Sequence, residues 1–372
     1  MLSPEGRRAI EKVGSSTSGL HTLSISKVQG LPVAVRPIAE QHRIVAAIET
    51  HLSRLGAAVA SLKRAKANVK RARASVLKAA VEGRLVPTEA ELARTEGRDY
   101  EPASTLLARI LVKRTAAWTA SGAKSKSKEA IASDTEGLPE LPDGWRWTCM
   151  DALTAVTGGI AKNASRGTRD MSLPFLRVAN VYADELRLDD VTEIQVSNSE
   201  LPGFLLERDD LLIVEGNGSP EHLGRVALWN AMIAPCVHQN HLIKARSHGE
   251  THPRWLLQWF LSPNGRVRIL ATASSTSGLH TLSISKVKAL QVPLPPLAEQ
   301  HRIVAEVDRR LSVLDALDTT LDANLARCAK LRQSILKRAF EGKLVPADTP
   351  SAREFTPNTK LAPRSRAAQA AE

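Results

Sequence analysis

The residues that could make or break bonds do not assemble into a recognisable centre. Ten histidines include no H-E-x-x-H pair, and the three cysteines, Cys149, Cys236 and Cys328, stand far apart, so no metal-ligand spacing is present. The carboxylate pairs Asp189-Asp190 and Asp209-Asp210 are flanked by strand residues and read as solvated turns. No G-x-x-x-x-G-K-[ST] phosphate loop occurs, nor an Asn-Pro-Pro-aromatic or Asp-Pro-Pro-aromatic quartet, nor a glycine fingerprint for a methyl-donor cofactor. Pro142-Asp143 has its first downstream E-x-K at Glu341–Lys343, too remote for a nuclease core. The chemistry these residue types do offer is hydrogen bonding. Lys162, Asn163, Ser165, Arg166 and Arg169 follow Gly158-Gly159; Arg177 and Asn180 close an apolar run; Asn217, Ser219 and Glu221 sit in a glycine-rich turn; and His238, Gln239, Asn240 and His241 interrupt two apolar runs. The segment SSTSGLHTLSISK at 274–286 gathers hydroxyls and amides at Ser275, Thr276, Ser277 and Gly278, with Lys286 adding charge. Such a set suits a phosphate, or it satisfies its own backbone in a loop.

The chain that must position these groups has 372 residues and a formal charge of +12, with a pI near 9.8. That length fits two or three folding units. Charged residues at 24% and hydrophobic ones at 43% describe globular material. Aromatics at 3% argue against a single-strand binder that works by stacking. An odd number of scattered cysteines implies no disulfide framework and fits a reducing cytoplasm. The N-terminus lacks an apolar signal core, and no membrane-spanning run is present.

A long internal repeat organises the chain. Residues 2–87 align with 261–346 at a constant offset of 259 without a gap, with 47 identities in 86 positions. SSTSGLHTLSISKV occurs at 15–28 and again at 274–287. The segment from about 139 to 260 has no counterpart, so the chain reads as one whole unit, 139–346, preceded by the tail of another.

Each copy holds a long heptad pattern. Val45, Ile48, Leu52, Leu55, Val59, Leu62, Val69 and Val76 in the first copy, and Val304, Val307, Leu311, Leu314, Leu321, Leu325, Cys328 and Ile335 in the second, step by threes, fours and sevens. That seam favours a coiled coil between two helices, each spanning roughly 55 Å. Lys66 and Asp318 break it, and Arg73 and Arg332 sit in phase. Pro37 and Pro296 mark the helix starts, and Gly83 and Gly342 their ends. Between the copies, 88–138 contains a short helical pattern over 102–118 and a low-complexity linker; the tail from 348 reads as disordered.

The central segment, 139–297, alternates β-prone runs with turns. Trp145 and Trp147 open a strand, a short helix ends at Gly158-Gly159, and LPFLRVANV, DDLLIVEGNGS, GRVALW and HLIKA follow. HPRWLLQWFLSP at 252–263 reads as a helix with Trp255, Leu256 and Trp259 inward. The fold class expected is α+β: a strand-rich α+β domain plus two long helices.

In their order, an LPxGW opening, PFLRVANV, a DLLI strand with a GN turn, WLLQWFLSPNGR, SSTSGLHTLSISKV, PLPPLAEQHRIV and a heptad helix ending SILKRAFEGKLVP resemble the specificity subunit of type I restriction–modification systems. The resemblance covers nearly all of 139–346 and the first-copy tail. It implies that 139–297 is a complete target-recognition domain and that 1–37 is the remnant of a first one. The repeated helices, 38–87 and 298–347, would form an antiparallel coiled coil. It further implies a non-catalytic subunit, with S-adenosylmethionine, ATP and Mg held by partner subunits and none in this chain. The partners implied are double-stranded DNA, methyltransferase subunits and, through them, restriction subunits. The missing half of a bipartite reader motivates pairing with a second copy of the chain. The rival reading is a coiled-coil regulatory or decoy protein, or an inactive fragment, that binds methyltransferase without reading DNA.

On that resemblance the polar clusters become candidates for base readout, because Arg pairs with guanine edges and Asn or Gln with adenine. Ser275, Thr276, Ser277 and Lys286 become candidates for phosphate. The charge has a separate address. Residues 42–84 carry ten Lys/Arg and two Asp/Glu, while 139–297 carry 15 against 16. Affinity is therefore expected from Lys63, Arg64, Lys66, Lys70 and Arg71 on the first helix, and discrimination from the nearly neutral domain.

Overall fold

The structure is a computed structural model and describes residues 4–17, 20–31, 33, 35–120, 130, 131, 135–163, 171–217, 219, 223–276 and 279–346. The chain begins with α1 (Pro4–Val13), β1 (Ser15–Thr17), β2 (Leu20–Thr22), α2 (Ile25–Gln29) and the 44-residue α3 (Ile38–Val81). There follow α4 (Glu89–Glu96), α5 (Ala103–Ala120), β3 (Arg146–Cys149), α6 (Met150–Leu153), β4 (Thr154–Thr157), β5 (Met171–Leu176), β6 (Val181–Tyr182), β7 (Glu185–Leu186), β8 (Thr192–Val196), α7 (Leu201–Phe204), β9 (Leu211–Val214) and β10 (Gly216–Asn217). The rest comprises β11 (Val226–Leu228), β12 (Val237–His238), β13 (Leu242–Ser247), α8 (Pro253–Leu261), α9 (Pro263–Thr272), β14 (Ser274–Thr276), β15 (Leu279–Thr281), α10 (Ile284–Ala289), β16 (Gln291–Leu294) and the 44-residue α11 (Leu297–Phe340). The repeat seen in the sequence is therefore structural. The series α1, β1, β2, α2, α3 recurs as α9, β14, β15, α10, α11 at the same offset.

The chain divides into two compact units, residues 1–65 with 320–372, and residues 66–319. In the first, the opening part of α3 and the closing part of α11 run antiparallel, and the Arg36 guanidinium lies against Gly342. Ile48, Leu52, Leu55, Val59 and Leu62 are half-buried, as are Leu321, Leu325, Cys328 and Ile335; Val45 departs from the seam and is 51% exposed.

In the second unit the two helices are again antiparallel, and the residues that break the apolar seam meet each other. Lys66 Nζ lies 3.7 Å from Asp318 Oδ1, and Arg73 Nη2 lies 2.5 Å from Asp315 Oδ1. The helix end expected at Gly83 is a Schellman motif: Arg84 N–H donates to Ala79 O, and Gly83 has φ +66°. Its bare Cα also admits Pro142, which an added Cβ would meet at 2.5 Å.

The strand-rich part of this unit is built around β9. The sheet runs β11-β9-β13-β4, every pair antiparallel. All four β9 residues are buried, because strand alternation sends Leu211 and Ile213 into one core and Leu212 and Val214 into another. The first core joins Trp145, Trp255, Trp259 and Phe260 to Leu77 and Val81 of α3 and to Ile303 and Val307 of α11. The Trp145 and Trp255 rings meet edge to face at 5.5 Å. A third cluster packs Leu173 and Phe175 of β5 against Ile194 and Val196 of β8.

Two local expectations change. Gly158-Gly159 follow a strand, β4, rather than a helix; α6 ends earlier, at Leu153. LSPNGRVRI forms a helix of its own, α9, capped by Ser262, whose Oγ accepts from Gly265 N–H at 3.0 Å.

The Lys66–Asp318 pair should set helix register more than stability. Lys66→Glu and Asp318→Lys should each lower the melting temperature, and the double exchange should recover it. Both side chains are about a third or more exposed, so a double-mutant cycle should give a coupling of only about 0.5 kcal/mol.

Candidate nucleic-acid interface

Backbone hydrogen bonds gather the polar segments at one end of the central sheet. Beyond β9 the chain continues through Glu215 into β10, which leaves the core and pairs with the repeated hairpin, giving a sheet in the order β10-β15-β14. The register sets Asn217 opposite His280 and Ser275 on the other side of His280. Glu215 is the junction. Its N–H donates to His241 O at 3.0 Å, and its carbonyl accepts from Leu282 N–H at 2.7 Å. One residue thus ties the glycine-rich turn, the His238–His241 run and the hairpin together. Lys286 of α10 donates from Nζ to Ser274 Oγ at 2.5 Å and closes the hairpin from the side.

The Gly158-Gly159 pair brings in the loop that carries Lys162 and Asn163. Ile160 N–H donates to His238 O at 2.7 Å, and Asn240 N–H donates to Ile160 O at 3.0 Å. A Cβ on Gly159 would stand 2.2 Å from His238 O and 2.4 Å from Gln239 O, so only glycine admits this approach. Lys162 and Asn163 are exposed at its end. Gln239 N–H donates to Leu176 O at 2.9 Å, and Gln239 Oε1 accepts from Val178 N–H at 3.3 Å, which places Arg177 beside the same run.

Not every candidate points outward. Asn180 is 3% exposed and fully engaged inside its turn: Oδ1 accepts from Arg177 N–H, and Nδ2 donates to Arg187 O and Asp190 O. It holds the loop and is removed from the set of base readers. His238 is also interior. Its Nδ1 lies 3.0 Å from Leu242 O, and burial, with Lys244 nearby, pushes its pKa down to about 4. It is a neutral core histidine and leaves the set as well. Arg177 is partly exposed, with its guanidinium on the Asp190 carboxylate at 2.8 Å. Gln239, Asn240, Ser219 and Lys286 are half-buried, and His241 is exposed with Nδ1 2.9 Å from Glu215 Oε2. For Asn217, Ser275 and Thr276 the description extends to the backbone; Ser165, Arg166, Arg169, Glu221 and Ser277 lie outside the described residues. Of the helix cations, Lys63, Arg64, Lys70 and Arg71 are exposed, whereas Lys66 is half-buried against Asp318 and belongs to the seam.

Two groups escaped the sequence reading. Arg187 and Arg225 both lie over the Tyr182 ring, 3.8 and 5.0 Å from its centroid. They stand 38 positions apart; only Arg187 lies near Tyr182 in sequence, and nothing local points to Arg225. Lys244, read as part of an apolar strand, buries its ammonium on Gly203 O and Leu205 O, and desolvation lowers its pKa. Arg246 beside it grips the buried Asp210 carboxylate with Nε and Nη2, each at 2.7 Å. Among the described residues no group of three or more His, Cys, Asp or Glu could hold a metal ion, and no helix is long and apolar enough to cross a membrane. The described surface is one of separate donors and acceptors around one end of the sheet.

The fold is that of the specificity subunits of type I restriction enzymes, to which the chain is related. It is 32% identical over 197 residues to the EcoKI specificity subunit of Escherichia coli K12, covering 52% of this chain and 41% of that one. It is 28% identical over 203 residues to the StySPI specificity subunit of Salmonella potsdam, covering 54% and 43%. The chain thus spans less than half the length of these two relatives. No family model matches it. Among solved structures, a chain described under the complex assembly and conformational transition of the type I R-M system aligns with TM-score 0.60 and 19% identity, over 92% of this chain and 69% of that one. The HsdS subunit from Thermoanaerobacter tengcongensis aligns with TM-score 0.50 and 19% identity, over 90% and 68%. At these identities the shared property is the fold, and it bears out the α+β architecture with long helices.

Gly159→Ala should destabilise the chain by about 2 kcal/mol, because two carbonyl oxygens must move. Thermal melting should report the loss, and hydrogen exchange should show Ile160–Asn163 opened. His238 sets an acid limit. Folded, it titrates near 4, against the usual 6.5. Between those values the unfolded chain binds a proton that the native chain does not. Its contribution is therefore full above about pH 6.5 and falls as pH drops towards 4, by on the order of 3 kcal/mol. Urea unfolding at pH 7 and pH 4.5 should show this loss reduced in His238→Asn.

Proposed function

We propose that this chain is the DNA-recognising, non-catalytic specificity subunit of a type I restriction–modification complex, directing methyltransferase and restriction subunits to a target sequence. The supporting observation is the convergence at Glu215. Four separate polar segments and the Tyr182 arginines end at one edge of a buried sheet, presenting Lys162, Asn163, Arg177, Gln239, Asn240 and Lys286 together, in a chain related to proteins of that name. Fixed donors of this kind read base edges in a groove, and the hydroxyl-rich hairpin beside them suits phosphate. Helix α3 supplies the long-range attraction. Helix α5 and the paired long helices offer surfaces to a methyltransferase subunit, and the work is done in the cytoplasm.

Selection from a random duplex pool, with and without a methyltransferase subunit, tests this reading. A preferred sequence that emerges only with the partner supports it. Partner binding without any sequence preference makes the chain a decoy or regulatory protein instead. Methylation of DNA by the isolated chain with S-adenosylmethionine would overturn the non-catalytic assignment.

The division between affinity and discrimination makes its own prediction. Neutralising Lys63, Arg64, Lys70 and Arg71 together should reduce the slope of log affinity against log salt by about 1 for each phosphate that is no longer neutralised, leaving the preferred sequence unchanged. Asn163→Ala or Gln239→Ala should do the opposite, weakening the chosen sequence by about 1–3 kcal/mol at one position with little change in salt slope.

A further inference from the structure

A glutamine amide has a donor nitrogen and an acceptor oxygen, and the fold has already engaged the oxygen of Gln239. The backbone of this residue is held on both sides: its N–H donates to Leu176 O at 2.9 Å, and its carbonyl accepts from Leu242 N–H at 2.9 Å. The side chain reaches across to Val178, whose N–H lies 3.3 Å from Oε1. A main-chain N–H can only donate, so the atom facing it is the oxygen; turning the amide round would set two donors against each other. Val178 is itself held. Asn180, buried beside it, accepts Arg177 N–H on Oδ1 and closes the turn. Val178 O accepts from Arg225 Nη2 at 3.4 Å, and the Arg225 guanidinium lies over the Tyr182 ring. Gln239 is half-buried, and among the described residues nothing accepts from its Nε2. Next to it Arg177 has Nη2 on Asp190 and carries no acceptor at all.

We propose that Gln239 meets DNA as a donor and selects guanine, through O6 and N7, instead of the adenine that an unconstrained glutamine matches. The inference rests on the DNA-recognising role proposed above and deepens it. An unconstrained glutamine donates to adenine N7 and accepts from adenine N6–H, side by side. With Oε1 turned to Val178, the adenine N6–H instead faces donors, both from Nε2 and from Arg177. Thymine offers O4 alone. Cytosine presents its N4–H donors to donors and is rejected. Guanine brings two acceptors and no donor to that edge of the major groove. Arg225 is a positioning residue in this scheme, acting on the base through Val178 and Gln239.

The experiment selects duplexes from a random pool with the full chain and a methyltransferase subunit, then repeats the selection with Gln239→Ala. The position at which preference relaxes is the one Gln239 reads. The unaltered chain should require guanine there, and 7-deazaguanine, which lacks the N7 acceptor, should weaken binding about tenfold. Gln239→Glu keeps an oxygen for Val178 N–H and turns the outward atom into an acceptor, so the preferred base should change to cytosine or adenine. Arg225→Met should relax the same position with no change in salt slope, and Arg225→Lys, which keeps a donor for Val178 O, should restore it. A lower salt slope with intact preference in Arg225→Met makes that residue a phosphate contact and overturns its positioning role. Adenine at the position shows the second lone pair of Oε1 in use and overturns the inference. Thymine or cytosine there, indifference to 7-deazaguanine, or no relaxed position in Gln239→Ala overturns it equally, and each leaves the DNA-recognising role standing. If the unaltered chain with its partner selects no sequence, both fall. Should Gln239→Glu bind no duplex, the 7-deazaguanine comparison on the unaltered chain decides alone.

Discussion

The buried carboxylate of Glu299 is the fixed point of residues 66–319. It is 0% exposed, and burial pushes its pKa up, against the N–H donors of Glu89 and Trp145 that favour the charged form. Beside it Arg302 pairs with Glu89, itself only 4% exposed. A carboxylate in such a place is tolerated only while every donor stays, so α4, β3 and α11 are held to one geometry. That geometry seats β16 on β3, and the short span from β16 back to β15 then carries the hairpin to β10. The candidate edge is thus joined, through β16 and the hairpin, to the Glu299 contact within the same unit.

What the sequence could reveal was whatever repeats or alternates locally. The heptad steps, the glycines after each helix and the doubly buried LLIV strand are patterns a few residues long, and each is found where its pattern places it. Helix α9 was hidden because Val267 and Leu270 on it are exposed and its charges are mixed with its apolar residues. The candidate surface was legible in residue type and only partly in direction. In the run His238 to His241 strand alternation turns the first residue inward, but β12 is two residues long and leaves too little pattern to reveal which. Asn180 looks like a reader and is a turn brace, because its partners at 187 and 190 become neighbours only in the folded loop. Tyr182 meets Arg225 across 43 positions, a distance no local pattern spans.

Charge and shape are divided between different parts of the chain. The body around β9 carries almost no net charge and has donors fixed by buried hydrogen bonds; α3 carries the surplus of cations on an exposed helical surface. Fixed dipoles discriminate because a wrong partner leaves them unsatisfied, whereas mobile cations attract any phosphate equally. The half-buried Lys66, paired with Asp318 in the seam, shows the two roles kept apart even on one helix. A cation placed at the edge of apolar residues and held by a carboxylate serves pairing rather than the solvent face.

The identity of SSTSGLHTLSISKV at 15–28 and 274–287 has a consequence for inheritance. A break within one copy can be rejoined to the other at the same position, and every residue along the new junction keeps the neighbours in sequence it already had. The 259 residues between are then gained or lost as a block, and the sequence of the helix that follows is unchanged. A body with a different surface can arrive by the same route, provided it presents the same strand edge and the same indole to what lies downstream. The hairpin is therefore a coupling of standard gauge, and novelty on one side of it requires no adjustment on the other.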